Sequence, residues 1–240
     1  MDAELLREHQ GPLTRLTLNR PQKANALSAT LVEALIDAVE YAYTDGTRLL
    51  ALDGNGQHFC AGFDFTGFAE ASEGDLVLRF IRIETLLQTL HHAPFVTLAL
   101  AHGRNFGAGA DLVCACSRRI AAADTAFRMP GLRFGLVLGT RRLALRVGTD
   151  AARELLGSSQ TFDAARARQL GFVERLVERA DWPALVTALG HEAGTLPATS
   201  LRRLNEQTLP DTRAQDMAAL VASASVPGLR ERIRQFRDAG

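Results

Sequence analysis

Residues 95–101, FVTLALA, run without interruption into HGRNFGAGADLVCACS at 102–117, and this junction restricts the fold more than any other stretch of the chain. Seven apolar and β-branched residues of this length read as a buried strand. Glycines at 103, 107 and 109 then let the backbone turn tightly before a short helix from about 110 to 117. A buried strand that turns through glycines into a helix is a unit of an α/β core.

The remaining pattern repeats that alternation. Residues 14–18 form a strand that stops at Pro21, which cannot donate to a ladder. Ser28 then sits as the N-cap of a helix whose apolar stripe is Leu31, Leu35, Ile36 and Val39. A second buried strand, 49–52, ends in Asp53-Gly54-Asn55-Gly56, and residues 75–92 return to helical spacing through Leu76, Phe80, Ile83, Leu86, Leu87 and Leu90. Residues 118–123 predict another strand, and helices are expected at 140–147, 151–157 and 163–170. From 184 onward only helical signals remain, so the expectation is an α/β core over 1–183 and an all-helical region over 184–240. The apolar stripes of that region need another surface, which points to self-association.

Composition removes several function classes. Lys+Arg and Asp+Glu are both 27, so no basic surplus exists to grip a nucleic acid or an anionic membrane. No apolar run approaches the roughly 20 residues that span a bilayer, and the charged N-terminal stretch does not read as a secretory leader. Three cysteines, Cys60, Cys114 and Cys116, suit reduced thiols better than a disulfide framework, which together with the preceding points predicts a cytoplasmic protein. Cys114-Ala115-Cys116 lacks a second ligand pair, so no metal is expected. Gly103, Gly107 and Gly109 do not give the G-x-G-x-x-G spacing, which leaves a dinucleotide-binding oxidoreductase as a distant alternative.

Two small-residue turns carry the candidate chemistry: Cys60-Ala61-Gly62-Phe63-Asp64 and Phe106-Gly107-Ala108-Gly109-Ala110-Asp111. Either alone is explained by tight packing. Two unpaired N–H groups from separate turns can also converge on one oxygen, as an oxyanion hole requires. Together with Asn19-Arg20-Pro21, Asn25-Ala26-Leu27, the AAADTAF run at 121–127, Leu155-Leu156-Gly157, Phe162-Asp163-Ala164-Ala165, Leu170-Gly171-Phe172-Val173 and the closing 228–236 segment, they make the chain resemble the enoyl-CoA hydratase/isomerase, or crotonase, superfamily over nearly its whole length.

That resemblance implies a spiral of β-β-α turns with a C-terminal helical trimerisation region, assembling as a homotrimer or a dimer of trimers. It implies an acyl-CoA thioester as substrate, with coenzyme A entering as part of that substrate and no separate cofactor. Carried onto this sequence, the hole donors are the amides of Phe63 and Ala108, with Gly62, Asp64, Gly107 and Gly131 expected to contact the substrate. The backbones of Ala24 and Ala61 fall near the CoA adenine, and Lys23, the only lysine, near a CoA phosphate.

The chain departs from the family at its two acid/base positions. Asp111 stands where the first glutamate is expected and Gly131 where the second is, and the following 135–139 loop is short. Three readings stay open: hydratase/isomerase chemistry relying on Asp111, anion-assisted chemistry of the naphthoate-synthase kind with Arg128 or Arg133 holding an anion beside Gly131, and CoA-thioester binding with little catalysis.

Overall fold

The computed structural model describes residues 3–239. Strands β1 (Leu5–Gln10) and β2 (Leu13–Leu18) form a hairpin, followed by α1 (Ala29–Ala42) and β3 (Leu49–Gly54). Helix α2 (Glu73–His91) leads into β4 (Val96–Ala101), β5 (Arg104–Phe106), α3 (Ala108–Ala115), β6 (Arg118–Ala121) and β7 (Ala126–Arg128). After a 3-10 turn at Gly131–Phe134 come α4 (Thr140–Val147), α5 (Thr149–Ser158), β8 (Phe162–Asp163), α6 (Ala164–Gln169) and β9 (Arg175–Leu176). Four helices end the chain: α7 (Trp182–Thr195), α8 (Ala198–Thr208), α9 (Arg213–Ala224) and α10 (Leu229–Asp238).

Six strands make one sheet in the order β1-β2-β3-β4-β6-β9, parallel throughout except for β1, and β5-β7-β8 make a second. The chain alternates between them, passing from β4 to β5 to α3 and then from β6 to β7. This is the β-β-α spiral that the resemblance implies. The strand period sorts side chains by face. Leu50, Leu52, Ala99 and Ala101 enter the main core with α1, α2 and α3, while Leu49, Ala51, Leu98, Leu100 and Ile120 pack against Trp182, Val186 and Leu189 of α7. The central strands are therefore buried on both faces, which is why they read as continuous apolar runs.

Local signals place the helix starts. Ser28 accepts the Leu31 N–H at 3.0 Å. Ser72 and Asp75 form a reciprocal capping box, so α2 begins two residues ahead of the expected 75. The sequence reading misses β1, whose residues beyond Leu5 are exposed and show no alternation; backbone pairing to β2, the packing of Leu5 on the core and the Arg7–Asp45 ion pair hold it.

The C-terminal helices differ from expectation in what covers them. Leu220, Ala224, Leu229 and Ile233 are buried in the chain's own main core, so the stripes of α9 and α10 do not call for a second copy. Large apolar side chains left exposed in this region include Leu196 and Leu204, at and beyond the end of α7.

Candidate active site

The two small-residue turns meet in space. Gly62 has φ +89°, and a Cβ there would fall 2.3 Å from the Phe106 carbonyl oxygen and 3.3 Å from the Ala108 nitrogen. A Cβ on Gly109 would fall 2.1 Å from the Cys60 carbonyl oxygen. Only glycine lets the backbones approach this closely. The Phe106 N–H donates to the Cys60 oxygen at 3.1 Å, and the Gly107 N–H to the Arg128 oxygen at 2.7 Å, fixing the second turn to its neighbours.

That pairing decides which amides stay free. Leu27 donates to Gly62 O at 2.7 Å and Asp64 donates to Leu27 O at 3.2 Å, so the N–H of Phe63, between them, points away from this bridge. Ala108 is the first residue of α3, where an amide has no intrahelical acceptor. Neither amide donates to a protein group among the described residues. The α3 dipole adds partial positive charge at the same end.

A cavity of about 200 Å³ opens on these turns, lined by Asp111, Phe63, Ala108, Ala61, Gly107 and Gly131 among others. Six of the ten residues singled out from the sequence thus come together. Lys23, Ala24, Gly62 and Asp64 do not line it. The Asp64 carboxylate meets Arg20 at 2.8 Å and the Thr66 N–H at 2.9 Å. Burial opposes its charge, but these partners prevail and hold it below the ordinary carboxylate range. Its place is in fixing the first turn, and Ala24 helps by accepting the Ala61 N–H at 2.9 Å. Lys23 is exposed on the 3-10 turn Pro21–Lys23.

Asp111 sits in the first turn of α3, almost fully buried. Burial pushes its carboxyl up to about 8, against the pull of Arg142 and with some help from Glu84. Its Oδ1 has no hydrogen-bond partner and lies where a Cβ on Gly139 would come within 2.0 Å. The short 135–139 loop therefore brings glycine backbone against the carboxylate. The sequence gives no hint of two further features. Thr140 lines the cavity with a buried, unpartnered hydroxyl; a residue after a loop glycine carries no distinctive signal. Arg142 and Glu84 form a buried bidentate pair at 2.9 and 2.5 Å, tying α4 to α2 behind Asp111.

Without Glu84 the buried Arg142 keeps only the Asp216 carboxylate as an ion-pair partner among the described residues, at 3.7 Å, and breaking one side of a buried pair costs about 3–5 kcal/mol. Glu84→Ala should lose that much stability in urea unfolding. A loss under about 1 kcal/mol would contradict the pairing.

Gly131 stands where the resemblance expects the second carboxylate. It lines the cavity, and a Cβ there would lie 3.0 Å from the Leu136 carbonyl oxygen. Arg128 reaches the cavity wall while its Nε donates to the Ser159 oxygen at 3.0 Å; Arg133 does not line the cavity and donates to the Ser158 oxygen at 2.6 Å. Burial raises the thiols of Cys60 and Cys114 to about 12 and about 11, which leaves them un-ionised at neutral pH. Among the described residues no cluster of three or more His, Cys, Asp or Glu could hold a metal ion, and no helix is long and apolar enough to cross a membrane.

Residues 8–227 match the family model described as enoyl-CoA hydratase/isomerase. A candidate enoyl-CoA hydratase of Mycobacterium leprae is 34% identical over 190 residues, covering 75% of this chain and 74% of the relative. The 2,3-dehydroadipyl-CoA hydratase of Escherichia coli is 31% identical over 178 residues, covering 71% of this chain and 68% of the relative. A crystal structure of a candidate enoyl-CoA hydratase/isomerase from Bordetella parapertussis superposes with a TM-score of 0.97 at 49% identity, covering 98% of this chain and 99% of its own.

Proposed function

The chain belongs to the enoyl-CoA hydratase/isomerase family, and within it we propose that this member moves a proton at the α-carbon of an acyl-CoA thioester, with Asp111 as its one acid/base. The observation that carries the reading is the pair of free amides on Phe63 and Ala108, two residues that line the same small cavity as an almost fully buried carboxyl. The thioester oxygen accepts from both amides. Negative charge that grows on that oxygen when a Cα proton leaves is met by donors already in place. Asp111 takes the proton and returns it, to the same carbon or to another for double-bond isomerisation. Ala61, whose carbonyl accepts no hydrogen bond among the described residues, and the nearby Ala24 and Lys23 receive the adenine and phosphate end of CoA.

Water addition in this family enlists two carboxylates, so one-base chemistry should outpace hydration here. Crotonyl-CoA hydration should be slow in the wild type. Gly131→Glu alone should not restore it, because its Cβ must displace the Leu136 carbonyl. Fast hydration by the wild type would overturn the one-carboxylate reading. The anion-assisted alternative is the less favoured: the Leu136 carbonyl oxygen turns negative charge toward Gly131, and Arg133 lies outside the cavity lining.

The pH dependence follows from the Asp111 environment. A base must be ionised in the resting enzyme, and this carboxyl is protonated below about 8. Turnover should therefore rise with pH through the neutral range and level off above about 8. A flat profile between pH 6 and 9 would remove Asp111 from the base role.

The protein is read as cytoplasmic and as a homotrimer or a dimer of trimers. Light scattering at micromolar concentration should give three or six copies; a monomer would contradict the assembly.

A further inference from the structure

We infer that the site takes a compact apolar acyl group, one ring or about six carbons, and that Phe236 of the terminal helix sets that limit; the inference rests on the acyl-CoA reading above. Apart from Asp111, Arg128 and Thr140, the cavity wall is apolar, with six phenylalanines contributing to it. Its volume of about 200 Å³ is only slightly above the roughly 150 Å³ of an apolar cavity that holds benzene. A long acyl chain has no room there unless the wall moves.

Phe236 is the one wall residue drawn from α10. Its ring packs on Phe134 at 5.3 Å between centroids, on the 3-10 turn that also carries Gly131, with the Arg128 guanidinium 5.9 Å from the Phe236 ring. The helix that presents it is fixed independently of that ring. Leu229 and Ile233 are fully buried, Arg232 donates to the Phe134 oxygen at 3.0 Å, and the Glu73 carboxylate accepts the Gly228 and Arg230 amides at 3.2 and 3.3 Å. Shortening Phe236 should therefore enlarge the cavity without releasing the helix. A methylene moved from water into apolar surroundings strengthens binding roughly four-fold, so room for two more carbons is worth about 15-fold.

The test is calorimetry of the full chain with free CoA, hexanoyl-CoA, benzoyl-CoA and dodecanoyl-CoA, on wild type, Phe236→Ala and Phe236→Trp. In the wild type, hexanoyl-CoA and benzoyl-CoA should bind at least ten-fold tighter than dodecanoyl-CoA. Phe236→Ala should shift the dodecanoyl-to-hexanoyl preference by ten-fold or more toward the long chain, and Phe236→Trp should weaken hexanoyl-CoA and benzoyl-CoA. Phe236→Ala should shift its preference by tightening dodecanoyl-CoA itself, which general loosening of the fold would not do. The inference is overturned if dodecanoyl-CoA binds the wild type as well as hexanoyl-CoA, or if the variants leave the preference within two-fold. If no acyl-CoA binds better than free CoA, the acyl-CoA reading itself falls, and this inference with it.

Discussion

Replacing Asp111 with asparagine should lower turnover by about 10²–10⁴-fold, the usual contribution of a positioned general base, while acyl-CoA binding stays within a few-fold of wild type. The amide keeps the shape of the carboxyl but cannot accept the proton, and the free amides of Phe63 and Ala108 are untouched. The same substitution should change stability in a pH-dependent way. Burial raises the folded-state proton affinity of Asp111 to about 8 from the ordinary carboxylate range, so the folded chain retains a proton that the unfolded chain releases. Stability from this group is therefore present at low pH and lost as pH rises through that window. Each tenfold change in proton affinity is worth about 1.4 kcal/mol. Asparagine has no such dependence, so Asp111→Asn should melt above wild type at pH 9, by about 5 °C or more, and the gap should narrow by pH 5. Parallel melting curves for the two proteins across pH would show that Asp111 is not held protonated in the fold.

Gly62→Ala carries the second large effect, this time on the proposed oxyanion hole rather than the proposed base. The position has φ +89°, and the added methyl would sit 2.3 Å from the Phe106 carbonyl, so the two turns must separate. Loss of one donor from a preorganised hole costs about 10²–10³-fold in turnover. Gly62→Ala should show at least that loss, with a stability penalty of about 1–3 kcal/mol from the strained backbone. Gly11→Ala is the matched control: that glycine also has positive φ, +56°, but a Cβ there meets nothing within 4 Å. It should destabilise the chain without a comparable loss of turnover. Equal activity losses in the two variants would mean that general destabilisation, not the hole, explains the effect.

Legibility of the fold in the sequence followed burial. Leu49 to Leu52 and the 95–101 run are buried on both faces, and their apolar continuity made them readable strands. Exposed β1 and the two-residue strands β8 and β9 carry too few side chains on a defined face to leave a pattern. In the last helices a linear stripe does not reveal which surface covers it: Leu229 and Ile233 found theirs within the chain, while Leu196 and Leu204 stay exposed.

At the site, the turns were legible because close backbone approach demands glycine, and Gly62 and Gly109 both make such an approach. Asp64 shows the limit of motif adjacency: it neighbours Phe63 in sequence, yet its carboxylate is spent on Arg20 and Thr66. Thr140, Phe236 and the Glu84–Arg142 pair meet the site only through tertiary packing, across separations that no local pattern encodes.

The Phe63 and Ala108 amides and Asp111 are expected to act together on the α-carbon of a bound thioester. Deuterium uptake from D2O into a saturated ligand such as hexanoyl-CoA, followed by mass spectrometry and NMR, tests it without knowledge of the natural substrate. The expected result is exchange confined to the α-carbon in the wild type and lost by about 10²-fold or more in Asp111→Asn with ligand still bound. A bound thioester that exchanges no α-proton in the wild type, or one that exchanges equally fast in Asp111→Asn, would contradict the account.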